Sequence, residues 1–90
     1  MLTKQECYDI FKEKVNELFG DNYILENKSF LMFAATDEAY EGKYTFFIAN
    51  EKDFPNLKAN YKGWKVYIQA KVDQNSGEID VEDYQSEKTE

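Results

Sequence analysis

The chain has 90 residues, 18 acidic and 11 basic side chains and a formal net charge of −7, which bounds it to one domain with room for one layered core. At 42% hydrophobic and 17% aromatic content it is too apolar for a disordered chain, yet no apolar run approaches the ~20 residues of a membrane helix. Histidine is absent and every basic residue is lysine. These absences exclude Ser-His-Asp and Cys-His nucleophiles and the usual zinc and facial-triad iron sites, and they deny a phosphate any bidentate guanidinium.

The first element is a helix that opens on a capping box. In Thr3-Lys4-Gln5-Glu6 the Thr3 hydroxyl can accept from the Glu6 amide while the Glu6 carboxylate reaches back to Thr3. Leu2, just before the cap, can staple against Cys7. Apolar residues recur at Cys7, Phe11, Val15, Leu18 and Phe19, widened by Tyr8 and Ile10, opposite Lys12, Glu13, Asn16 and Glu17. That spacing is an amphipathic helical stripe. Gly20 is expected to stop it as a left-handed cap, with Asp21-Asn22 turning the chain.

From Tyr23 the pattern turns to β-formers. Tyr23-Ile24-Leu25 and Phe30-Leu31-Met32-Phe33-Ala34-Ala35 read as two strands of a tight hairpin around Asn27-Lys28, or as one long strand. Residues 37–42 form a polar loop and Lys43 to Asn50 the next strand. Residues 51–63 are a long connection, in which Asp53 can cap a short turn with Pro55 just inside it. From Trp64 to Val72, Trp64, Val66, Ile68, Ala70 and Val72 alternate strictly with Lys65, Tyr67, Gln69 and Lys71, the period of a half-buried strand. Asn75-Ser76-Gly77 is a turn, Glu78 to Tyr84 an edge strand with Ile79 and Val81 inward, and 85–90 a frayed tail.

A helix followed by strands predicts an α+β fold: one N-terminal helix packed on an antiparallel β-meander of four to five strands. The domain covers 1–84, with a disordered tail over 85–90. This element order resembles the cystatin-like and related helix-on-curled-sheet folds. The Gln-x-Val-x-Gly loop of the cystatin inhibitors has no counterpart here, so the resemblance implies a fold and no activity.

Four features bear on function. Charge is uneven: residues 1–20 hold four acids and three lysines, 21–72 seven of each, and 73–90 seven acids and one lysine. The acidic end reads as a docking edge for a basic partner, or as an edge strand kept soluble and unpaired by charge. Second, one helix covers one sheet face, so Leu31 and Phe33 (or Phe30 and Met32 in the reversed register) share a second face with Phe47 and Tyr67, rimmed by Lys65 and Lys71. That patch needs cover from residues 51–63 through Phe54, Leu57 and Tyr61, from a second copy, or from a partner. Third, the segment from Asp73 to Glu82 has its glycine at the fifth position and its glutamate at the tenth. An EF-hand requires the sixth and twelfth, so a hairpin turn is the better reading and no metal is expected. Fourth, Cys7 lies on the apolar stripe, as a packing residue rather than a reactive thiol.

A single cysteine makes no internal disulfide, and Met-Leu-Thr-Lys-Gln-Glu lacks a secretory pattern, so a cytosolic setting is expected. The lysine-only basic set, rich in company of Asn, Ile and Tyr, points to an AT-rich bacterial or phage genome. The leading expectation is a small acidic interaction protein, not an enzyme, that docks onto a basic protein as an inhibitor or immunity protein would. Its candidate contact residues are Leu31, Phe33, Phe47, Tyr67, Asp80, Glu82 and Asp83, with Tyr67 as an exposed aromatic anchor. One alternative is a small-molecule module with an aromatic pocket lined by Phe33, Phe47, Trp64 and Tyr67. The other is a homodimer whose sheet faces pack together. No cofactor, no nucleic acid and no membrane is expected, because acid repels a phosphate backbone.

Overall fold

The Thr3 capping box closes as its residue types require: the Glu6 amide donates to Thr3 Oγ1 at 3.1 Å and the Thr3 amide donates to Glu6 Oε1 at 2.9 Å. Helix α1 then runs Lys4–Phe19 in a computed structural model that describes residues 1–29, 31–50 and 64–88, with strand backbone alone at 50, 64–67 and 83–88. The predicted stripe faces inward, with Cys7, Phe11 and Val15 fully buried and Tyr8, Ile10, Leu18 and Phe19 packed around them. Gly20 ends the helix, but at φ 132° and ψ 145° rather than in the left-handed helical region. Only glycine enters that part of backbone space without strain.

Residues 23–26 correct the sequence reading. Tyr23–Glu26 is a single helical turn, α2, and not a strand. The Asn16 side-chain oxygen accepts from the Ile24 amide at 3.1 Å, and Phe19 stacks on Tyr23 with centroids 4.7 Å apart. These contacts with the end of α1 override the β-propensity of Tyr-Ile-Leu, which pairs with no strand among the described residues.

The strands are β1 Leu31–Ala35, β2 Lys43–Asn50, β3 Trp64–Asp73 and β4 Ile79–Lys88. They form one sheet in the order β1-β2-β3-β4, each neighbour antiparallel. The fold is therefore the expected α+β meander with four strands, an order compatible with the cystatin-like resemblance. The backbone of β4 pairs with β3 as far as Lys88, past the point where the sequence suggests a frayed tail. The expected cap at Asp53 and cover by Phe54, Leu57 and Tyr61 lie outside the described residues.

The sheet presents Phe46, Ile48, Ile68, Ala70 and Val72 to the helix, all essentially buried. Phe11 stacks on Phe46 with centroids 5.4 Å apart, and α1 crosses β2 and β3. Among the described residues no helix is long and apolar enough to cross a membrane.

Two substitutions separate the core from the cap. Phe11→Ala is expected to cost about 3–5 kcal/mol, through lost transfer energy and a cavity that the sheet cannot close. Thr3→Ala, which removes only the cap, is expected to cost about 1 kcal/mol. Urea unfolding followed by circular dichroism measures both, and equal losses would contradict the assignment of Phe11 to the centre of the core.

Candidate functional site

Two surfaces stand out, one on each side of the sheet. The first follows from the strand register. Phe33 pairs with Ile48 and Ala35 with Phe46, so Leu31, Phe33 and Ala35 lie on the helix side. The expected union of Leu31 and Phe33 with Phe47 and Tyr67 is thus corrected. The reversed register holds, and Met32 and Ala34 share the opposite, outer face with Phe47. Tyr67, by its pairing with Ala49, takes a register position on that same outer face. Met32 is 39% exposed there, and Phe47 is half-buried.

The acidic end reaches the same face through a β-bulge. Gln69 pairs with Asp83 and Ala70 with Val81, which leaves Glu82 as an extra residue. In an unbroken strand Asp80 and Glu82 would share one side and Asp83 the other. The extra residue resets the alternation. Asp80 now stands opposite Lys71, Asp83 takes the position opposite Gln69, and Glu82 reaches both outer-face neighbours. Its carboxylate accepts from Gln69 Nε2 at 3.0 Å and pairs with Lys71 Nζ at 3.4 Å. Asp80 and Glu82 are exposed. The result is one outer face with an apolar patch on β1 and β2 (Met32, Ala34, Phe47) and an acidic strand at β4, separated by β3, with Lys71 partly neutralising Glu82.

The hairpin that presents these acids is held by its own turn. The Asp73 carboxylate accepts from the Asn75 amide at 2.7 Å and the Ser76 amide at 3.1 Å, an Asx-type closure. Gly77 follows at φ 77°. The Asp73 carboxylate is thus turned onto backbone amides, as the hairpin reading anticipates.

The second surface is the seam between α1 and β1. Because α1 lies over β2 and β3, its N-terminal half stands beside β1 without covering it. A groove of about 470 Å³ opens there, lined by Tyr8, Phe33, Ala35 and Phe46 with Lys4 and Gln5 at the mouth. Tyr8 meets Phe33 edge-on with centroids 5.8 Å apart, stacks on Phe46 at 5.7 Å, and carries Lys12 Nζ over its ring at 4.7 Å. Burial, with the Asp9 carboxylate in second place, raises the Tyr8 phenol above its usual pKa, so it stays neutral. Phe33 and Phe47 of the expected pocket fall on opposite faces of the sheet, and the side chains of Trp64 and Tyr67 lie outside the described residues. Phe33 is joined by Tyr8 and Phe46, while Phe47 faces away. Tyr8 was legible only as a widening of the helical stripe, since its partner Phe33 is remote in sequence.

Cys7 is fully buried. Burial first, then the Glu6 and Asp73 carboxylates, push its thiol pKa up, the reverse of what a nucleophile needs. No protein-family model matches the chain, and no curated protein or solved structure matches it significantly.

The turn supplies a pH test. Hydrogen bonds from the Asn75 and Ser76 amides hold the Asp73 carboxyl below the usual range, helped by Lys43 and opposed by its partial desolvation. A carboxyl lowered on folding stabilises fully above its unfolded value, near pH 4, and the effect is lost as pH falls through the folded value. The difference in urea midpoint between the wild type and Asp73→Ala is therefore expected to be constant from about pH 7 to 5 and to shrink below about pH 4. A difference that persists at lower pH would show that the carboxylate charge is not what closes the turn.

Proposed function

We propose that the chain is a small non-enzymatic interaction protein that docks onto a basic protein surface through the outer face of its β3–β4 hairpin, as an inhibitor or immunity protein would. A cytosolic setting and a bacterial or phage source go with this reading, on the strength of the lone buried thiol and the lysine-only basic set. The observation that supports it is the bulge at Glu82, which brings Asp80, Glu82 and Asp83 to outer-face positions, on the same face as Met32, Ala34 and Phe47 with β3 between them. An apolar centre bordered by charge is the common anatomy of a protein–protein contact. The acids supply orientation and encounter rate, and the apolar residues supply desolvation. No nucleic acid, cofactor or metal is part of this reading.

Exposed ion pairs contribute about 0.2–1 kcal/mol each, so three of them alter affinity by roughly 3- to 100-fold. Asp80→Asn, Glu82→Gln and Asp83→Asn preserve shape and remove the charge. The wild type, immobilised at low ionic strength, is expected to retain a basic protein from a source lysate, to release it in about 1 M salt where the Debye length falls to ~3 Å, and to lose it in the triple variant. Equal retention by the triple variant would refute the acidic docking face.

The α1–β1 groove favours a second reading, in which a small amphipathic molecule binds against Tyr8, Phe33 and Phe46. About 470 Å³ is within the usual range for ligand sites. Anilinonaphthalene sulfonate, an aromatic anion suited to Lys4 at the mouth, is expected to fluoresce with the native protein and several-fold less with Phe33→Ala. No enhancement with the native wild type would dismiss this reading.

A further inference from the structure

The two edges of the sheet are built differently. Edge β4 carries Asp80, Glu82, Asp83 and Glu87, the charged protection that natural edge strands use against pairing. Edge β1, Leu-Met-Phe-Ala-Ala, carries no charge, no proline and no bulge. Its central residues Met32, Phe33 and Ala34 are exposed, and among the described residues no strand pairs with its outer side.

Hydrogen-bond parity identifies which groups that edge offers. The Thr36 amide donates to the Thr45 carbonyl at 3.0 Å. In an antiparallel ladder alternate residues bond to alternate sides, so Met32 and Ala34 turn their N–H and C=O toward β2. Leu31, Phe33 and Ala35 turn theirs outward. These three positions are symmetric about Phe33.

We infer that β1 is a strand-addition edge whose occupant is β1 of a second copy of this chain, paired antiparallel about a two-fold axis at Phe33. In that register Phe33 faces the second copy's Phe33, and Leu31 faces its Ala35. All the outward N–H and C=O groups then meet one another, with none left over between the two strands. Met32 lies across from the second copy's Ala34, so exposed apolar groups on the outer face are covered as well. No other pairing of the two edges does this. Joining β4 to β4 brings like charges together, and joining β1 to β4 leaves an edge open at each end and runs on as a filament. Joining β1 to β1 closes.

Charge agrees with this choice. Each copy carries −7, concentrated at the β4 end. In the resulting eight-stranded sheet the two β4 strands are separated by seven inter-strand gaps, about 34 Å. The Debye length at 0.1 M salt is about 10 Å, so their repulsion is screened. The contact is small and belongs to the weak, concentration-dependent class. It is tested separately from the proposed docking, whose acids lie on β4 at the opposite edge, although both contacts draw on Met32 and Ala34 of β1.

The test is mass in solution together with amide exchange. Sedimentation from about 5 μM to about 1 mM, a span chosen for a small interface, is expected to show the mass rising from 10.6 kDa toward twice that value. Over the same series the amides of Leu31, Phe33 and Ala35 should become protected at least tenfold, while those of Met32 and Ala34 are protected throughout. Ala35→Pro removes one outward donor without touching the β1–β2 ladder, and Ala34→Glu adds a carboxylate to each copy at the junction. Both are expected to remain monomeric with a native circular dichroism spectrum. If Ala35→Pro fails to fold, Ala34→Glu alone decides. A wild type that stays monomeric at 1 mM overturns the inference, as does a dimer in which those three amides gain no protection or which Ala34→Glu leaves intact. Protection of the three amides only on adding a different extended peptide would assign the edge to a foreign strand and overturn it too.

Discussion

The stack of Phe11 on Phe46, with centroids 5.4 Å apart, decides where α1 rests on the sheet, and most of the molecule follows from that placement. Phe46 is on β2, and the buried side chains around it, Ile48, Ile68, Ala70 and Val72, belong to β2 and β3. One helix has a buried stripe about two strands wide. It closes over the centre of the sheet and leaves the margins to other devices. On the β4 margin the device is charge. On the β1 margin, among the described residues, it is Tyr8, which leans over to meet Phe33 and leaves a groove beside itself.

The ends of the sheet are tied in turn. At one end the Gln74 amide donates to the Gly42 carbonyl at 2.9 Å, and the Leu2 amide donates to Gln74 oxygen at 2.6 Å. The two-residue turn at Glu41 (φ 53°) and Gly42 (φ 79°), the β3–β4 turn and the start of the chain are thus joined through single hydrogen bonds. Gly77 belongs to this junction: a Cβ there would sit 3.4 Å from Leu2 Cδ1 and 3.5 Å from Ile10 Cδ1. At the other end Asn16 holds Ile24. The helix is therefore anchored to the sheet at its start and its middle and to α2 at its finish, and the faces of the sheet are presented on a defined scaffold.

Much of this was legible because it is local. A capping box involves four successive residues, and a helical stripe or a strand alternation repeats within one element. Thr3 to Glu6, the Cys7-Phe11-Val15 stripe and Ile68, Ala70 and Val72 of β3 all took their expected places for that reason. The misreading at Tyr23-Ile24-Leu25 has the opposite origin. Three β-formers carry a strand preference of tenths of a kcal/mol each, and a strand needs a neighbour to satisfy its backbone. Asn16 and Phe19 offered a turn of helix instead.

Composition and periodicity alone determined that this chain folds as a helix on a β-meander, is acidic at one end and has neither histidine nor arginine. They also determined that β1 is apolar on both faces. They did not determine which face meets the helix, because Leu31, Phe33 and Ala35 are as apolar as Met32 and Ala34, and a one-residue slip exchanges the two sets. The pairing of Phe33 with Ile48 settled it. Nor could alternation announce the bulge at Glu82, which gathers three acids onto one face only through the pairing of β4 with β3. Both outcomes depend on register, and register is decided by the whole core packing at once, which no single segment encodes.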